Sequence, residues 1–203
     1  MIDTLIKHRE KSLGSSILGK LGLAAVQSKK PSPYCVLTLH RPSNVDDPET
    51  LRTILETVHE FSAKMPVVFP VHPRTRKMIE KYGLGGLLDQ GLQAKGARCI
   101  LAIEPQGYLD FLALISSAGV VMTDSGGIQE ETTVLGVPCV TLRNNTERPV
   151  TVTDGTNVIA GMKKDDILRS ADSAAGKKDR RAKTPPLWDG KAAERIVSVL
   201  ASL

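Results

Sequence analysis

The sequence predicts an open parallel α/β sheet, Rossmann-like, with helices on both faces. Two observations predict it. Short β-branched runs are apolar at consecutive positions rather than alternating, as strands covered on both faces read. Helical patterns lie between them, and that alternation builds parallel sheets through crossover helices.

The elements follow in order. Residues 1–30 look helical, with Leu5, Leu13, Ile17, Leu18 and Leu21 available to pack on the sheet. The domain proper is expected over 31–203. Strands are predicted at Tyr34–Leu39, Val67–Val71, Arg98–Ile103, Gly119–Thr123 and Pro138–Leu142, with a weaker sixth at Asn157–Ala160. Asp47–Ala63 places Leu51, Ile54, Leu55, Val58 and Phe61 at the i, i+3, i+4, i+7 spacing of one helix face. Tyr108–Ser117 and Gly127–Leu135 also suit helices. Gly136 stands where a C-terminal cap glycine belongs, and Pro138 follows it. A final helix over Lys191–Leu203 puts Ala193, Ile196, Val197 and Leu200 on one side. Ser170 to Pro186 reads as a polar, basic loop.

Composition narrows the function. The chain has 203 residues, 41% of them hydrophobic, enough for one large domain. No apolar run reaches the length of a membrane span, and the opening Met1-Ile2-Asp3-Thr4-Leu5 lacks a signal-peptide pattern. Cys35, Cys99 and Cys139 have no metal-ligand spacing and read as reduced thiols in a cytoplasmic protein. The net charge is +5, but residues 163–183 alone carry +4 of it, with eight basic side chains against four Asp. Aromatic residues make up only 3%. A local basic stretch without stacking residues argues against nucleic acid as a partner.

In such a sheet the ligand lies beyond the carboxyl ends of the strands. The first strand ends at His40 and Arg41, a proton carrier and a cation. The second ends at Pro70-Val71-His72-Pro73, where His72 reads as structural or interfacial. The third leads to Gln106 and Phe111, an amide and a ring able to hold a flat base by edge and face. The alternative for Phe111 is the core. The fourth runs through Thr123-Asp124 into Ser125-Gly126-Gly127. Two glycines at a helix start let backbone N–H groups approach a diphosphate, which the helix's positive end favours. This is neither GxGxxG nor a P-loop. Glu130 and Glu131 follow, and a ligand-facing acid there suits a ribose diol. The alternative is that Ser125 caps the helix and both acids complement its dipole. The fifth strand leads to Arg143 and Arg148, and an arginine from that loop can fork onto the same diphosphate. Together these residues read as a nucleoside-diphosphate site.

The motifs Leu39-His40-Arg41, Pro70-Val71-His72-Pro73, Glu104-Pro105-Gln106-Gly107-Tyr108-Leu109, Thr123-Asp124-Ser125-Gly126-Gly127-Ile128-Gln129-Glu130-Glu131 and Thr146-Glu147-Arg148-Pro149 resemble the non-hydrolysing UDP-N-acetylglucosamine 2-epimerases. Their order and spacing fit from about residue 1 to 161, and the final helix fits too. The resemblance implies one half of a glycosyltransferase-B arrangement, the C-terminal UDP-binding domain, with the family's N-terminal domain absent. It implies a catalytic role for His40, uracil contacts from Gln106 and Phe111, and a diphosphate cradle at Ser125, Gly126 and Gly127. It implies that Glu131 holds the ribose and that Arg148 is a further UDP contact. Arg41 and His72 stand as candidate anion or allosteric contacts. The implied reaction inverts C2 by eliminating UDP and re-adding it, with no metal or redox cofactor, in a full-length enzyme that is commonly a homodimer. The implied ligand is UDP or a UDP-N-acetylhexosamine.

Two departures matter. The opening residues resemble an internal stretch of the family near the domain junction, so the chain alone is not expected to epimerise. Many bacterial members have His-Arg-Arg-Glu where this chain has His40-Arg41-Pro42-Ser43, which argues against their allosteric regulation here. The alternatives are half of a UDP-sugar-dependent glycosyltransferase, a hydrolysing 2-epimerase relative, and a stand-alone UDP-binding module.

Overall fold

Alternating strand residues here serve two different cores. In the computed structural model, which describes residues 1–23, 33–89, 98–176 and 184–203, six strands form one sheet. They are β1 (Cys35–Thr38), β2 (Val67–Pro70), β3 (Ile100–Ile103), β4 (Val120–Thr123), β5 (Cys139–Thr141) and β6 (Asn157–Ile159). All neighbours pair parallel, in the order β3-β2-β1-β4-β5-β6. Cys35, Leu37, Val67, Phe69, Val120 and Met122 face one core, while Val36, Val68 and Val121 face the other. Every one of them is buried, which explains the unbroken apolar runs.

The helices among the described residues are α1 (Ile2–Ser12), α2 (Ile17–Lys20), α3 (Pro42–Val45), α4 (Pro48–Phe61), α5 (Pro73–Lys81), α6 (Tyr108–Ser117), α7 (Gly126–Leu135), α8 (Val150–Thr153), α9 (Lys164–Gly176) and α10 (Ala192–Ala201). α4 is set by its sequence. Asp47 accepts the Thr50 N–H at 2.8 Å, Pro48 takes the first turn, and the predicted stripe from Leu51 to Phe61 is buried. α4, α5 and α9 cover one face through Leu55, Ile79 and Ile167. α1, α2 and α6 cover the other through Leu5, Ile17 and Leu114. The Tyr34 hydroxyl donates to the Leu114 carbonyl at 2.6 Å and locks α6 beside β1. Gly136 takes the left-handed conformation, φ +67°, and ends α7 as expected.

The expected loop from Ser170 is instead the second half of α9, which runs to Gly176. Ile167, Ala171 and Ala174 form a buried stripe there, and alanines carry too little side chain to signal it. Residues 177–183 of the expected basic loop lie outside the described residues, as do 24–30 of the expected helical N-terminal segment. α5 also went unpredicted: it is polar, burying only Thr75 and Ile79, and begins at the His72 cap and Pro73. α10 forms as expected, but its apolar side is not covered. Ile196, Val197 and Leu200 are 59–65% exposed. It is tethered through polar contacts, the Ala193 N–H to Asp3 at 3.0 Å and Arg195 to Asp189 at 2.9 Å. The three cysteines are buried.

The chain winds outward from β1 to β3, then crosses back to place β4 beside β1. That reversal leaves a crevice at the carboxyl ends of β1 and β4. The two-sided core makes a quantitative demand. Leu55→Ala, in a site with no exposure, should lower unfolding free energy by about 2–5 kcal/mol in urea titrations. A loss within 0.5 kcal/mol would show that α4 does not seal this face.

Candidate functional site

The crevice is organised by Asp124, the first residue beyond β4. Register pairs Thr38 with Thr123, so the loops leaving both strands start side by side. The Thr38 and Thr123 hydroxyls lie 2.6 Å apart, and the Ser125 N–H donates to Thr123 Oγ1 at 3.0 Å. Asp124 is completely buried. Its Oδ2 accepts the backbone N–H groups of His40 at 2.9 Å and Arg41 at 2.8 Å. Its Oδ1 lies 3.0 Å from His40 Nδ1. A loop turning off a strand loses its ladder partners, and this carboxylate replaces them. Asp124 carried no role in the sequence reading. Its signal is an acid at one strand end facing a histidine at another, visible only once β1 and β4 are known neighbours.

His72 caps α5, its Nδ1 accepting the Arg74 N–H at 3.2 Å. Its ring centre stands 5.8 Å from that of His40. Both line a cleft of about 290 Å³ with Gln106, Phe111, Ser125 and Ile128. Phe111 is partly buried against the second core and also lines the cleft. The Gln106 amide nitrogen donates to the Glu104 carbonyl at 2.7 Å.

α7 starts at Gly126, with Ser125 at its N-cap position. Ser125 makes no side-chain cap, which removes the plainer reading of that residue. Gly126 faces the loop after β5: a Cβ there would lie 3.8 Å from Arg148 Cγ. Gly127 does not face the cleft openly, because a Cβ on it would lie 2.7 Å from the Met1 methyl carbon.

Glu131 does not line the cleft with His40. It is 5% exposed and accepts the Tyr108 hydroxyl at 3.2 Å. Burial raises its pKa, and nearby Glu130 adds to the rise. The Tyr108 bond and the chain's terminal ammonium oppose it. The Tyr108 phenol is pushed up to about 12, first by burial and then by the Glu131 charge.

The guanidinium groups gather one loop away. Arg148 Nε lies 2.9 Å from Glu130, so Glu130 is an ion-pair partner rather than a bare dipole acid. Arg143 pairs with Glu147 at 3.1 Å, and Arg41 reaches the same carboxylate at 3.9 Å. A buried amide network holds this loop. Thr146 donates to Gln129 Oε1 at 2.6 Å and accepts the Arg148 N–H at 2.9 Å. Asn157 donates to the same Gln129 oxygen at 3.3 Å and accepts from Thr141 at 2.6 Å. Among the described residues no cluster of His, Cys, Asp and Glu is arranged to hold a metal. No described helix is long and apolar enough to cross a membrane.

The structure thus gathers His40, His72, Gln106, Phe111 and Ser125 in one cleft, whereas Arg148 lines a separate pocket with Met1 and Glu130. A family profile for UDP-N-acetylglucosamine 2-epimerase matches residues 1–201. The chain belongs to the UDP-N-acetylglucosamine 2-epimerase family.

An epimerase of that name from Methanocaldococcus jannaschii is 42% identical over 169 residues, 82% of this chain and 44% of the relative. A UDP-2,3-diacetamido-2,3-dideoxy-D-glucuronate 2-epimerase from Pseudomonas aeruginosa is 40% identical, covering 84% of this chain and 45% of that enzyme. The crystal structure of the M. jannaschii UDP-GlcNAc 2-epimerase in complex with UDP-GlcNAc and UDP superimposes with a TM-score of 0.85 and 36% identity. That match covers 100% of this chain and 53% of the other. The chain spans about half the length of the relatives it matches.

The Glu131 environment has a measurable consequence. Its native pKa is raised above the ordinary 4.5, so between those values the native state holds more proton than the unfolded chain. Its contribution to stability is complete below 4.5 and is lost as pH rises through the native value. Glu131→Gln removes that loss and keeps an acceptor for Tyr108. The variant should gain on the parent in urea stability as pH climbs from 4 to 7, and a constant difference would refute the buried-acid assignment.

Proposed function

We propose that this chain is the nucleotide-holding half of a UDP-N-acetylhexosamine 2-epimerase. The observation that carries the reading is the convergence, at the β1/β4 crevice, of the α7 start, the His40 ring and the Gln106–Phe111 lining. The family's glycine-bearing motif and an arginine-bearing loop lie alongside.

In this reading Gln106 and Phe111 take the uracil and Glu131 takes the ribose hydroxyls. Ser125, Gly126 and Gly127 offer backbone N–H groups to the diphosphate, and the helix dipole favours its charge. Glu131 and Gly127 lie aside from the cleft, so ribose binding at Glu131 displaces the Tyr108 hydroxyl and diphosphate access to Gly127 requires Met1 to move. Arg148 exchanges Glu130 for phosphate oxygen, and Arg41 and His72 add positive or donor character at the rim.

The reaction breaks the C2–H bond and the C1–O bond, giving UDP and a 2-acetamidoglucal. Re-addition delivers a proton to the opposite face of C2 and restores the glycosyl bond. The departing diphosphate gains charge, which fixed donors stabilise. His40, at the diphosphate end of the cleft, is the proton-handling group this chain supplies. The carboxylates that act at C2 belong, in this reading, to the part of the enzyme that lies outside the matched half. Family membership favours this over a glycosyltransferase half or a free-standing UDP-binding module. A homodimeric, cytoplasmic enzyme completes the proposal.

A second reading concerns only the sugar. The diacetamido-glucuronate relative is nearly as similar as the N-acetylglucosamine ones. The residues of this chain address the nucleotide, so the proposal specifies a UDP-linked 2-acetamido sugar and leaves C3 and C6 to the other half.

Calorimetry tests the nucleotide site. UDP should bind and ADP should bind far more weakly. Arg148→Ala and Glu131→Ala should each weaken UDP binding by about 1.5–3 kcal/mol, the cost of losing a charge-assisted bond. Equal affinity for ADP would sink the uridine assignment, and an unchanged affinity in either variant would remove that residue from the site.

A further inference from the structure

We infer that Asp124 is a positioning residue that holds His40 as the Nδ1–H tautomer, so that the unprotonated Nε2 faces the cleft. The inference rests on the reading of His40 as the chain's proton-handling group and deepens it. No role for Asp124 came from the sequence or from the family motifs.

Three observations carry it. Asp124 is completely buried, yet its carboxylate is engaged by named donors: two backbone N–H groups on Oδ2 and the His40 ring on Oδ1 at 3.0 Å. A carboxylate only accepts hydrogen bonds, so the ring nitrogen beside it must carry the hydrogen. The same carboxylate also holds the His40 and Arg41 backbone, so ring and main chain are anchored to one rigid point at the end of β4. The His40 side chain is still 37% exposed and lines the cleft, so its far edge is open to a ligand.

The neighbouring histidine is arranged the opposite way. His72 Nδ1 accepts the Arg74 N–H, which leaves the hydrogen of its neutral ring on Nε2. Two rings 5.8 Å apart therefore offer the cleft different faces, an acceptor from His40 and a donor from His72. Identical residue types gain distinct roles from what stands behind them. An acceptor at His40 can take a proton from a bound group, and the imidazolium so formed keeps its hydrogen bond to Asp124. The proton then sits on Nε2, placed to be given to the oxygen of a departing diphosphate and taken back from it as the C1–O bond re-forms.

Asp124→Asn provides the contrast. A carboxamide oxygen can keep the two backbone N–H bonds while its NH2 group turns to His40 Nδ1. That reverses the demand on the ring and places the hydrogen on Nε2, without removing the loop anchor.

Nitrogen-15 NMR of the imidazoles in the intact chain, above the pH at which the rings are protonated, decides the matter. His40 is assigned by its loss in His40→Gln. In the parent, Nδ1 should appear protonated and Nε2 unprotonated, with that tautomer favoured about tenfold or more, as a hydrogen bond to a charged acceptor demands. Folded Asp124→Asn should show the reverse or an even mixture. A parent spectrum with the hydrogen on Nε2, or a folded Asp124→Asn with the parent's pattern, overturns the inference. If the variant does not fold, the parent spectrum alone decides. No nucleotide is needed, so a wrong tautomer leaves the UDP site standing, and failure of UDP to bind leaves the tautomer assignment standing.

Discussion

One buried carboxylate holds the crevice together. Asp124 has no exposure and ties the loop after β1 to the end of β4 through two main-chain bonds and a side-chain contact. Without it, the N–H groups of His40 and Arg41 would lose their partner at a partly buried strand end, at a cost of up to about 1–3 kcal/mol each. The position of His40, the start of α3 and the mouth of the cleft all follow from that attachment. It also explains why a parallel sheet suits this site: only the β1/β4 reversal brings these two loops together.

The rest of the site is built at some expense to the fold. Glu131 is buried with one hydrogen bond from Tyr108, and its raised pKa reports the cost of keeping a charge there. Arg41 and Arg143 each keep a buried nitrogen that no group among the described residues accepts. Three guanidinium groups share Glu147 and Glu130 as partners. The Gln129–Thr146–Asn157 network holds the arginine loop from behind, using buried amides rather than apolar contacts to fix its direction. The network is not complete: Gln129 Nε2 is buried and no group among the described residues accepts from it.

Much of this was legible beforehand, for reasons that differ by residue. β1 to β5 are legible because both faces are covered, so nearly all their positions are apolar, whereas the weaker signal of β6 matches its exposed Val158 and Ile159. α4 was legible from a long stripe and a cap, and the end of α7 from Gly136. α5 and the second half of α9 were not, because a surface helix burying Thr75 and Ile79, or Ala171 and Ala174, has little hydrophobic contrast. α10 shows the converse. Its stripe predicted a helix correctly, yet its apolar side faces solvent, since periodicity says which residues share a side and not what covers it.

The same division runs through the site. Composition and spacing alone determined the sheet class, the strand ends as the place to look, and a helix start at Ser125-Gly126-Gly127. Tertiary structure decided which of those residues meet. It gathered His40, His72, Gln106, Phe111 and Ser125 in one cleft, turned Gly127 toward Met1, tied Arg148 to Glu130, and gave Asp124 its role. The reason is physical: periodicity and turn chemistry are local and can be read along the chain, whereas a hydrogen bond between residues 40 and 124 exists only because the sheet places β4 beside β1.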